Sequence, residues 1–141
     1  MAPRVDPATQ WERRVVSLLE DMGLENPDGA RGQAFALGGH QIDAIACFAN
    51  VMMVFECKLG QELKTRSVRK QIQEMRGIRA QIKKGAKEDP IYGKYEHMFH
   101  ILLAKNYQFT EADKDYAKNG GTPVLLKADE FFDYYLESTH L

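Results

Sequence analysis

Cysteine is scarce in this sequence, and long hydrophobic runs are absent. Only two of the 141 residues are cysteines, and no apolar run approaches the roughly 20 residues of a membrane span. Cys47 and Cys57 lie within apolar stretches and lack Cys-x-x-Cys spacing, so we expect buried thiols rather than a disulfide or metal ligands. The opening Met-Ala-Pro-Arg also lacks the apolar stretch of a signal peptide. We therefore expect a cytoplasmic protein that does not contact a membrane.

Excess charge of one sign is also absent from the chain as a whole, because the formal net charge is −1. Between Lys64 and Lys87, however, there are nine basic residues against Glu74 alone, whereas positions 108–141 carry seven acidic residues against three basic ones. The basic segment indicates a face that binds a polyanion, although a solvated helix face explains the same pattern. With 44% hydrophobic residues, positions 1–141 can fill one core and are expected to form a single domain.

Positions 38–58 form the most informative stretch of the sequence. They indicate two apolar strands, rich in β-branched and aromatic residues, joined by a tight turn at Ala49–Asn50. If the turn contains two residues, Asp43 lies directly opposite Glu56, with Cβ atoms roughly 4.5–5.5 Å apart. Two carboxylates this close repel each other, and a divalent cation removes the repulsion while gaining two oxygen ligands. The pattern therefore indicates a metal site.

A lysine completes this predicted site. Lys58 follows Glu56 by two positions, so strand alternation places both side chains on one face and the Cys57 side chain on the other. The same register puts Gln41 opposite Lys58, where it either contacts a phosphate or caps the hairpin. A salt bridge between Lys58 and Glu56 is the simpler structural alternative, but it leaves the position of Asp43 unexplained.

Ile42-Asp43, twelve intervening residues and Glu56-Cys57-Lys58 resemble the signature of the PD-(D/E)XK nucleases, the restriction-endonuclease-like superfamily. Ile42 stands where the family has proline. The preceding glycine pair and the Asp-Ala-Ile-Ala run resemble the Mrr-type restriction branch most. The resemblance in element order covers about residues 10–135, which is nearly the whole chain.

The resemblance implies a metal-dependent DNA endonuclease that hydrolyses phosphodiester bonds with Mg²⁺ or Mn²⁺. Asp43 and Glu56 would bind the metal, and the backbone carbonyl of Cys57 would complete its coordination. Lys58 would orient the attacking water or stabilise the transition state. An aromatic-Glu pair opens the first helix of Mrr-like and junction-resolving relatives, and the matching Glu12 would support metal binding directly or through water. The alternative for Glu12 is a first-turn acid that interacts with the helix dipole.

The basic helix after the Glu-x-Lys strand is the predicted DNA-binding element. In the family this helix often carries a Gln or a basic residue near the phosphate, and Gln71 is the best match. Neighbouring basic side chains would follow the DNA backbone without reading its sequence, since phosphate contacts position a protein but do not specify bases. The predicted DNA-binding residues are Gln41, Arg69, Lys70, Gln71 and Arg76.

Hydrophobic periodicity and turn residues predict the order of the elements. The expected elements up to the middle of the chain are a helix from the Asp6-Pro7 cap to Gly23, a strand over 33–37, the two hairpin strands and a helix over about 67–84. They are followed by a buried strand over 98–104, a helix over 110–119, a strand over 123–126 and an aromatic helix capped by Asp129. This order agrees with an α/β fold, the restriction-endonuclease-like αβββαβ core with a mixed central sheet flanked by helices, plus a C-terminal αβα extension.

Two other classes of function fit the same residues. A nuclease-like fold that has lost catalysis would be an inactive DNA-binding or interaction module, although the intact Asp, Glu and Lys favour the enzyme. A structural interaction domain would use the charged hairpin only for a salt bridge. Because no sequence-reading motif is recognisable, the nuclease would cut with little specificity, act as a homodimer, or form the N-terminal module of a longer protein. Mrr-like modules often precede ATPase or DNA-sensing domains of prokaryotic restriction and defence systems, which would supply partner proteins.

Overall fold

The computed structural model describes residues 6–25, 36–65 and 67–132. The helices in these ranges are α1 (Pro7–Asp21), α2 (Gly60–Thr65), α3 (Val68–Glu88), α4 (Glu111–Asn119) and α5 (Ala128–Phe131), with a short 3-10 helix at Tyr92–Lys94. The strands are β1 (Ala36–Leu37), β2 (His40–Gln41), β3 (Ala44–Phe48), β4 (Val51–Leu59), β5 (His97–Lys105) and β6 (Val124–Lys127). None of the described helices is long and apolar enough to cross a bilayer.

A mixed four-stranded sheet in the order β3-β4-β5-β6 forms the centre of the fold. β3 and β4 pair antiparallel, whereas β5 pairs parallel with both β4 and β6. β5 is buried along most of its length because helices cover both faces of the sheet around it, which explains its continuous apolar run. The expected α/β class with a mixed sheet between helices is confirmed.

The hairpin formed by β3 and β4 has the predicted register. Phe48 lies opposite Val51 and Ala44 lies opposite Phe55, so the loop contains two residues. Ala49 has a φ of 53°, a left-handed conformation typical of tight hairpin turns. A one-residue slip would have moved every side chain to the other face of the sheet, so this register decides which side chains reach the site.

Two helical layers sandwich the sheet. On one face, Val15 and Leu19 of α1 belong to the same core cluster as Phe55, and α5 packs against this cluster too. On the opposite face, Ile82 of α3 shares a second core cluster with Val54. Burial of these apolar side chains stabilises the fold by roughly 1.5–3 kcal/mol for each large one.

The alternation of β4 sends its charged side chains toward the α3 layer. Val54 faces that layer and Cys57 faces the α1 layer, so Glu56 and Lys58 lie on the same face as Val54. This confirms that Glu56 and Lys58 share a face that Cys57 does not. Both Cys47 and Cys57 are free thiols in buried positions, as predicted.

The predicted second strand is interrupted before the hairpin. β2 pairs with β1 in a separate two-stranded sheet, in which Gln41 lies opposite Ala36, and β3 begins only at Ala44. The prediction that Gln41 lies opposite Lys58 is therefore wrong. The structure confirms a strand at β1, but positions 33–35 of the predicted first strand lie outside the described residues.

Three boundaries toward the C-terminus also differ from the predictions. The expected connection before the long helix contains the additional helix α2, and α3 continues to Glu88 because Ala86 extends its buried stripe. Asp129 lies in the first turn of α5 and is not its N-cap, so that prediction is wrong. Positions 134–135 of the predicted aromatic helix lie outside the described residues.

Two glycines form the tight turn between β1 and β2. Gly38 and Gly39 have φ values of 59° and 82°, which favour glycine. A Cβ on Gly38 would lie 2.0 Å from the carbonyl oxygen of Gln81, and a Cβ on Gly85 would lie 2.2 Å from the Gly38 nitrogen. The backbone of this turn therefore packs directly on the backbone of α3, through two glycines.

We expect Gly38→Ala to lower the free energy of unfolding by about 2–4 kcal/mol, because it combines left-handed strain with overpacking against α3. Gly39→Ala is the matched control, since it has a similar φ but no atom within 4 Å of the added Cβ. It should cost only about 1–2 kcal/mol. Urea unfolding at constant m-value measures both effects. Equal losses in the two variants would show that the close approach contributes nothing.

Candidate metal and catalytic site

Asp43 is held at the end of the hairpin by a backbone hydrogen bond. The paired ladder ends at Ala44 opposite Phe55, and Asp43 precedes it. Its Oδ2 atom accepts a hydrogen bond from the N–H of Cys57 at 2.8 Å. The carboxylate of Asp43 therefore accepts the N–H that a backbone carbonyl would accept in a regular strand pair. This hydrogen bond directs the Asp43 side chain toward β4.

Glu56 and Lys58, which both belong to β4, form a close ion pair. The Lys58 Nζ atom lies 3.5 Å from Oε1 of Glu56, and each side chain is 22% exposed. The partial exposure leaves both groups accessible from solvent. This is the salt bridge that the structural alternative expected, but it exists beside the Asp43 carboxylate rather than alone.

Glu12 reaches the same place from α1. The helix begins with the predicted cap, in which Asp6 accepts a hydrogen bond from the Thr9 N–H at 3.0 Å. Trp11 lies on the buried side of α1. The next residue, Glu12, is half-buried and makes a side-chain hydrogen bond with Asp43. The structure thus brings together the four predicted catalytic residues from two layers of the fold.

Burial raises the pKa of all three carboxyl groups, and the charge of Asp43 adds to this effect at Glu12 and Glu56. Burial raises the pKa of Glu12 to about 7, and the charge and hydrogen bond of Asp43 add to the effect. Burial followed by the Asp43 charge raises the pKa of Glu56 to about 7, against the opposing effect of Lys58. Burial raises the pKa of Asp43 as well, although the Cys57 N–H and Lys58 oppose it. At neutral pH the cluster therefore retains protons unless a cation replaces them.

Lys58 stays charged in this environment. Burial alone would lower its pKa, but Glu56, Glu62 and Asp43 together outweigh that effect and raise the pKa above its ordinary value. A lysine so surrounded is an ammonium donor rather than a general base.

Glu62 is a member of the site that the sequence interpretation missed. Its Oε2 atom lies 3.7 Å from the Lys58 Nζ atom, and its Oε1 atom accepts a hydrogen bond from the Leu59 N–H at 2.9 Å. The available signal was the spacing, because Glu62 follows Lys58 by four positions. That spacing brings side chains together only if a helix begins immediately after β4, and α2 was not predicted.

The donor set suits a hard divalent cation. Among the residues that the structure describes, no group of three or more His, Cys, Asp or Glu side chains is arranged to hold a metal ion. Mg²⁺ does not require such a group, since it is usually bound by one or two carboxylates together with waters and substrate phosphates. Asp43 and Glu56 offer two carboxylates in a partly buried place, where burial raises the pKa of both and therefore disfavours two unneutralised charges. The residues present therefore fit Mg²⁺ or Mn²⁺.

The predicted DNA-binding residues do not form one uniform surface. Lys70 is exposed on α3, and exposed Arg69 lies with its guanidinium 5.0 Å from the centre of the Tyr116 ring. Gln71 is only 4% exposed and faces the core, so it does not reach a DNA backbone. Gln41 is exposed on β2, away from the position opposite Lys58 that was predicted for it.

Arg76 has a structural role. Its guanidinium donates to the carbonyl of Thr122 at 2.7 Å and to the carbonyls of Tyr116 and Ala117 at 2.6 and 3.2 Å. The last two carbonyls belong to the C-terminal turn of α4, where a cation also interacts favourably with the helix dipole. We therefore remove Arg76 and the buried Gln71 from the predicted DNA contacts.

Comparison with known proteins identifies no relative of this chain. No protein-family model, curated protein or solved structure matches the chain.

In the absence of divalent ions, we expect stability to fall as the pH rises from about 4.5 to about 7. The pKa values of Glu12 and Glu56 rise from 4.5 to about 7 on folding, so the folded state binds more protons within this window. Stability is therefore greatest below the window and is lost through it. The expected loss is about 3 kcal/mol, chiefly from Glu56, because solvent screens the more exposed Glu12. Urea unfolding in chelator at several pH values measures it.

The double variant Glu12→Gln, Glu56→Gln should flatten this pH dependence. Glu111→Gln is the control, because Glu111 is a solvent-exposed carboxylate far more accessible than the site residues. A slope that survives in the double variant would mean that other groups carry the pH dependence.

Proposed function

We propose that the chain is a metal-dependent DNA endonuclease that hydrolyses phosphodiester bonds. The observation that carries the proposal is the convergence of Glu12, Asp43, Glu56 and Lys58 at one end of the sheet. An ordinary salt bridge needs one carboxylate for one ammonium. Here burial and the charge of Asp43 raise the pKa of both Glu12 and Glu56 beside a single lysine, an arrangement that favours binding of an additional cation.

The order of elements supports a restriction-endonuclease-like fold for the domain. A helix precedes an antiparallel hairpin, and a long helix then leads to a strand parallel to the second hairpin strand. Glu56 and Lys58 lie on the second strand of this hairpin and Asp43 directly precedes the first, where the PD-(D/E)XK resemblance expects them. The fold proposal rests on this agreement between topology and motif position.

Asp43 and Glu56 would hold the cation, and the backbone carbonyl of Cys57, which lies between Glu56 and Lys58 in sequence, would be a further oxygen ligand. A bound Mg²⁺ or Mn²⁺ lowers the pKa of a coordinated water and neutralises charge on the scissile phosphate. The hydrogen bond from the Cys57 N–H keeps the Asp43 carboxylate oriented without adding a charge. One proposed ligand, Asp43, is therefore oriented by a backbone hydrogen bond. The other, Glu56, directly precedes the residue that donates this bond.

Lys58 and Glu12 would support the reaction from either side of this pair. The ammonium of Lys58 can donate to a phosphate oxygen or to the attacking water, since its raised pKa keeps it protonated. Glu12 shares a hydrogen bond with Asp43 and carries a proton near neutral pH. On deprotonation it offers a further carboxylate that binds the metal directly or through water.

The exposed basic side chains of α3 would bind the DNA backbone. α3 packs on the sheet face toward which Glu56 and Lys58 project, and its basic residues extend along that face away from the site. Lys70, Lys83 and Lys84 are exposed along this helix. Phosphate contacts of this kind are independent of sequence, which agrees with a nuclease of low intrinsic specificity. Dimerisation or association with further domains of a prokaryotic defence system would supply specificity.

An inactive DNA-binding module is the second candidate. The observation that favours it is the position of Lys58, whose ammonium is already paired with both Glu56 and Glu62. A fold that retained these pairs only for stability would still bind DNA through α3. It would not require a metal.

Incubation with supercoiled plasmid and linear DNA tests the proposal directly. We expect nicking or cutting with Mg²⁺ or Mn²⁺, no reaction in chelator, and a loss of at least about 100-fold in Asp43→Ala and Lys58→Ala. Lys114→Ala is the matched control, because Lys114 lies 3.5 Å from Glu111 in an exposed pair. DNA retention without cleavage, unchanged by Asp43→Ala, would select the binding module instead.

Basic residues of α3 are expected to separate into DNA contacts and structural contacts. The double variant Lys70→Gln, Lys84→Gln should weaken DNA binding and reduce the slope of log K against log salt by about 1–2, with stability unchanged within about 0.5 kcal/mol. Arg76→Gln should instead lower the free energy of unfolding by about 1–3 kcal/mol, because three carbonyls lose their donor, and leave the salt slope unchanged. Fluorescence anisotropy in chelator and urea unfolding measure the two quantities. A reduced slope in Arg76→Gln would return this arginine to the DNA-binding surface.

A further inference from the structure

Glu62 uses its two carboxylate oxygens for different partners. Oε1 accepts the N–H of Leu59 at 2.9 Å, and Oε2 lies 3.7 Å from the Nζ atom of Lys58. Leu59 directly precedes α2, so the first contact satisfies one of the N–H groups that a helix start leaves unpaired. The carboxylate is thus anchored to the backbone while its other oxygen faces the lysine.

The start of α2 is itself fixed against the sheet. A Cβ on Gly60 would lie 2.1 Å from the carbonyl oxygen of Asn106, the residue that follows β5. Only glycine permits this backbone approach. Because α2 begins in direct contact with the end of the central strand, Glu62 cannot drift away from Lys58 without breaking packed backbone contacts.

Lys58 therefore lies between two carboxylates, 3.5 Å from Glu56 and 3.7 Å from Glu62. The two carboxylates are not equivalent. Glu56 faces Asp43, whose charge contributes to its raised pKa, whereas Glu62 holds the backbone N–H of Leu59. A cation between Asp43 and Glu56 would draw the electron density of Glu56 away from Lys58 and would also repel the ammonium.

We propose that Glu62 is the positioning residue that retains Lys58 in the site when Glu56 binds the metal. The inference rests on the proposed function, since it concerns the same metal and the same lysine. Glu62 acts through Lys58 and does not bind the metal itself, because its Oε1 atom is committed to the helix start. With Glu62 in place, the ammonium stays beside the scissile phosphate rather than turning to solvent.

Glu62→Gln isolates this role. The amide oxygen can still accept the N–H of Leu59, so the start of α2 is preserved, but the negative charge facing Lys58 is lost. Glu62→Ala removes both the contact with the Leu59 N–H and the contact with Lys58. The difference between Glu62→Ala and Glu62→Gln therefore gives the contribution of the helix cap. Glu111→Gln removes the carboxylate of an exposed ion pair with Lys114 and serves as the control.

The experiment is a ¹H–¹⁵N spectrum of the lysine ammonium groups, recorded with and without saturating Mg²⁺, with Lys58 assigned from Lys58→Arg. In the native chain and in Glu111→Gln, we expect the Lys58 signal to shift but persist with Mg²⁺. In Glu62→Gln it should broaden beyond detection once Mg²⁺ is bound. Calorimetry should show Mg²⁺ affinity within about threefold of the native value, while kcat for plasmid cleavage falls about 10–100-fold without a change in KM.

Two results would overturn the inference while leaving the proposed function intact. A Lys58 signal that persists in metal-bound Glu62→Gln would show that Glu62 does not retain the lysine. A loss of Mg²⁺ affinity of about tenfold or more in this variant would make Glu62 a metal ligand instead. If the native protein shows neither Mg²⁺ binding nor a shift of Lys58, the proposed function and the inference both fail.

Discussion

Burial of several neighbouring carboxyl groups is the physical constraint on which the candidate site depends. Glu12, Asp43 and Glu56 come from different elements; burial raises the pKa of each, and the charge of Asp43 raises the pKa of Glu12 and Glu56 further. The N–H of Cys57 and the ammonium of Lys58 compensate only part of this charge. A domain that keeps such a cluster loses stability near neutral pH unless protons or a cation neutralise it.

The layers of the fold hold this unfavourable arrangement in place. The apolar stripe of α1 packs into the core beside Glu12, and the hairpin register fixes Glu56 relative to Asp43. Close backbone contacts lock the surrounding segments, because Gly38 packs on α3 and Gly60 packs on the end of β5. The energy for crowding the carboxyl groups thus comes from apolar burial elsewhere, as in sites that store strain for function.

Several parts of the fold and site were predictable because they depend on local rules. A two-residue turn at Ala49–Asn50 determines the pairing of β3 with β4, and strand alternation then separates Glu56 and Lys58 from Cys57. The cap at Asp6 and the apolar stripe of α1 follow helical periodicity in the same way. Other features were not predictable, because they depend on contacts between distant segments. The interruption before β3 displaced Gln41, and Arg76 is occupied by α4 rather than exposed.

The sequence by itself determined the α/β class, the hairpin register and the spacing that places Asp43, Glu56 and Lys58 in one neighbourhood, because turn length and side-chain alternation act within a few residues. Only the tertiary structure decided which groups complete the site. It added Glu62 through an unpredicted helix and withdrew the buried Gln71. The physical reason is that the packing of α2, α3 and α4 against the sheet decides whether a side chain faces the carboxylates, the core or the solvent. No spacing rule within the chain contains that information.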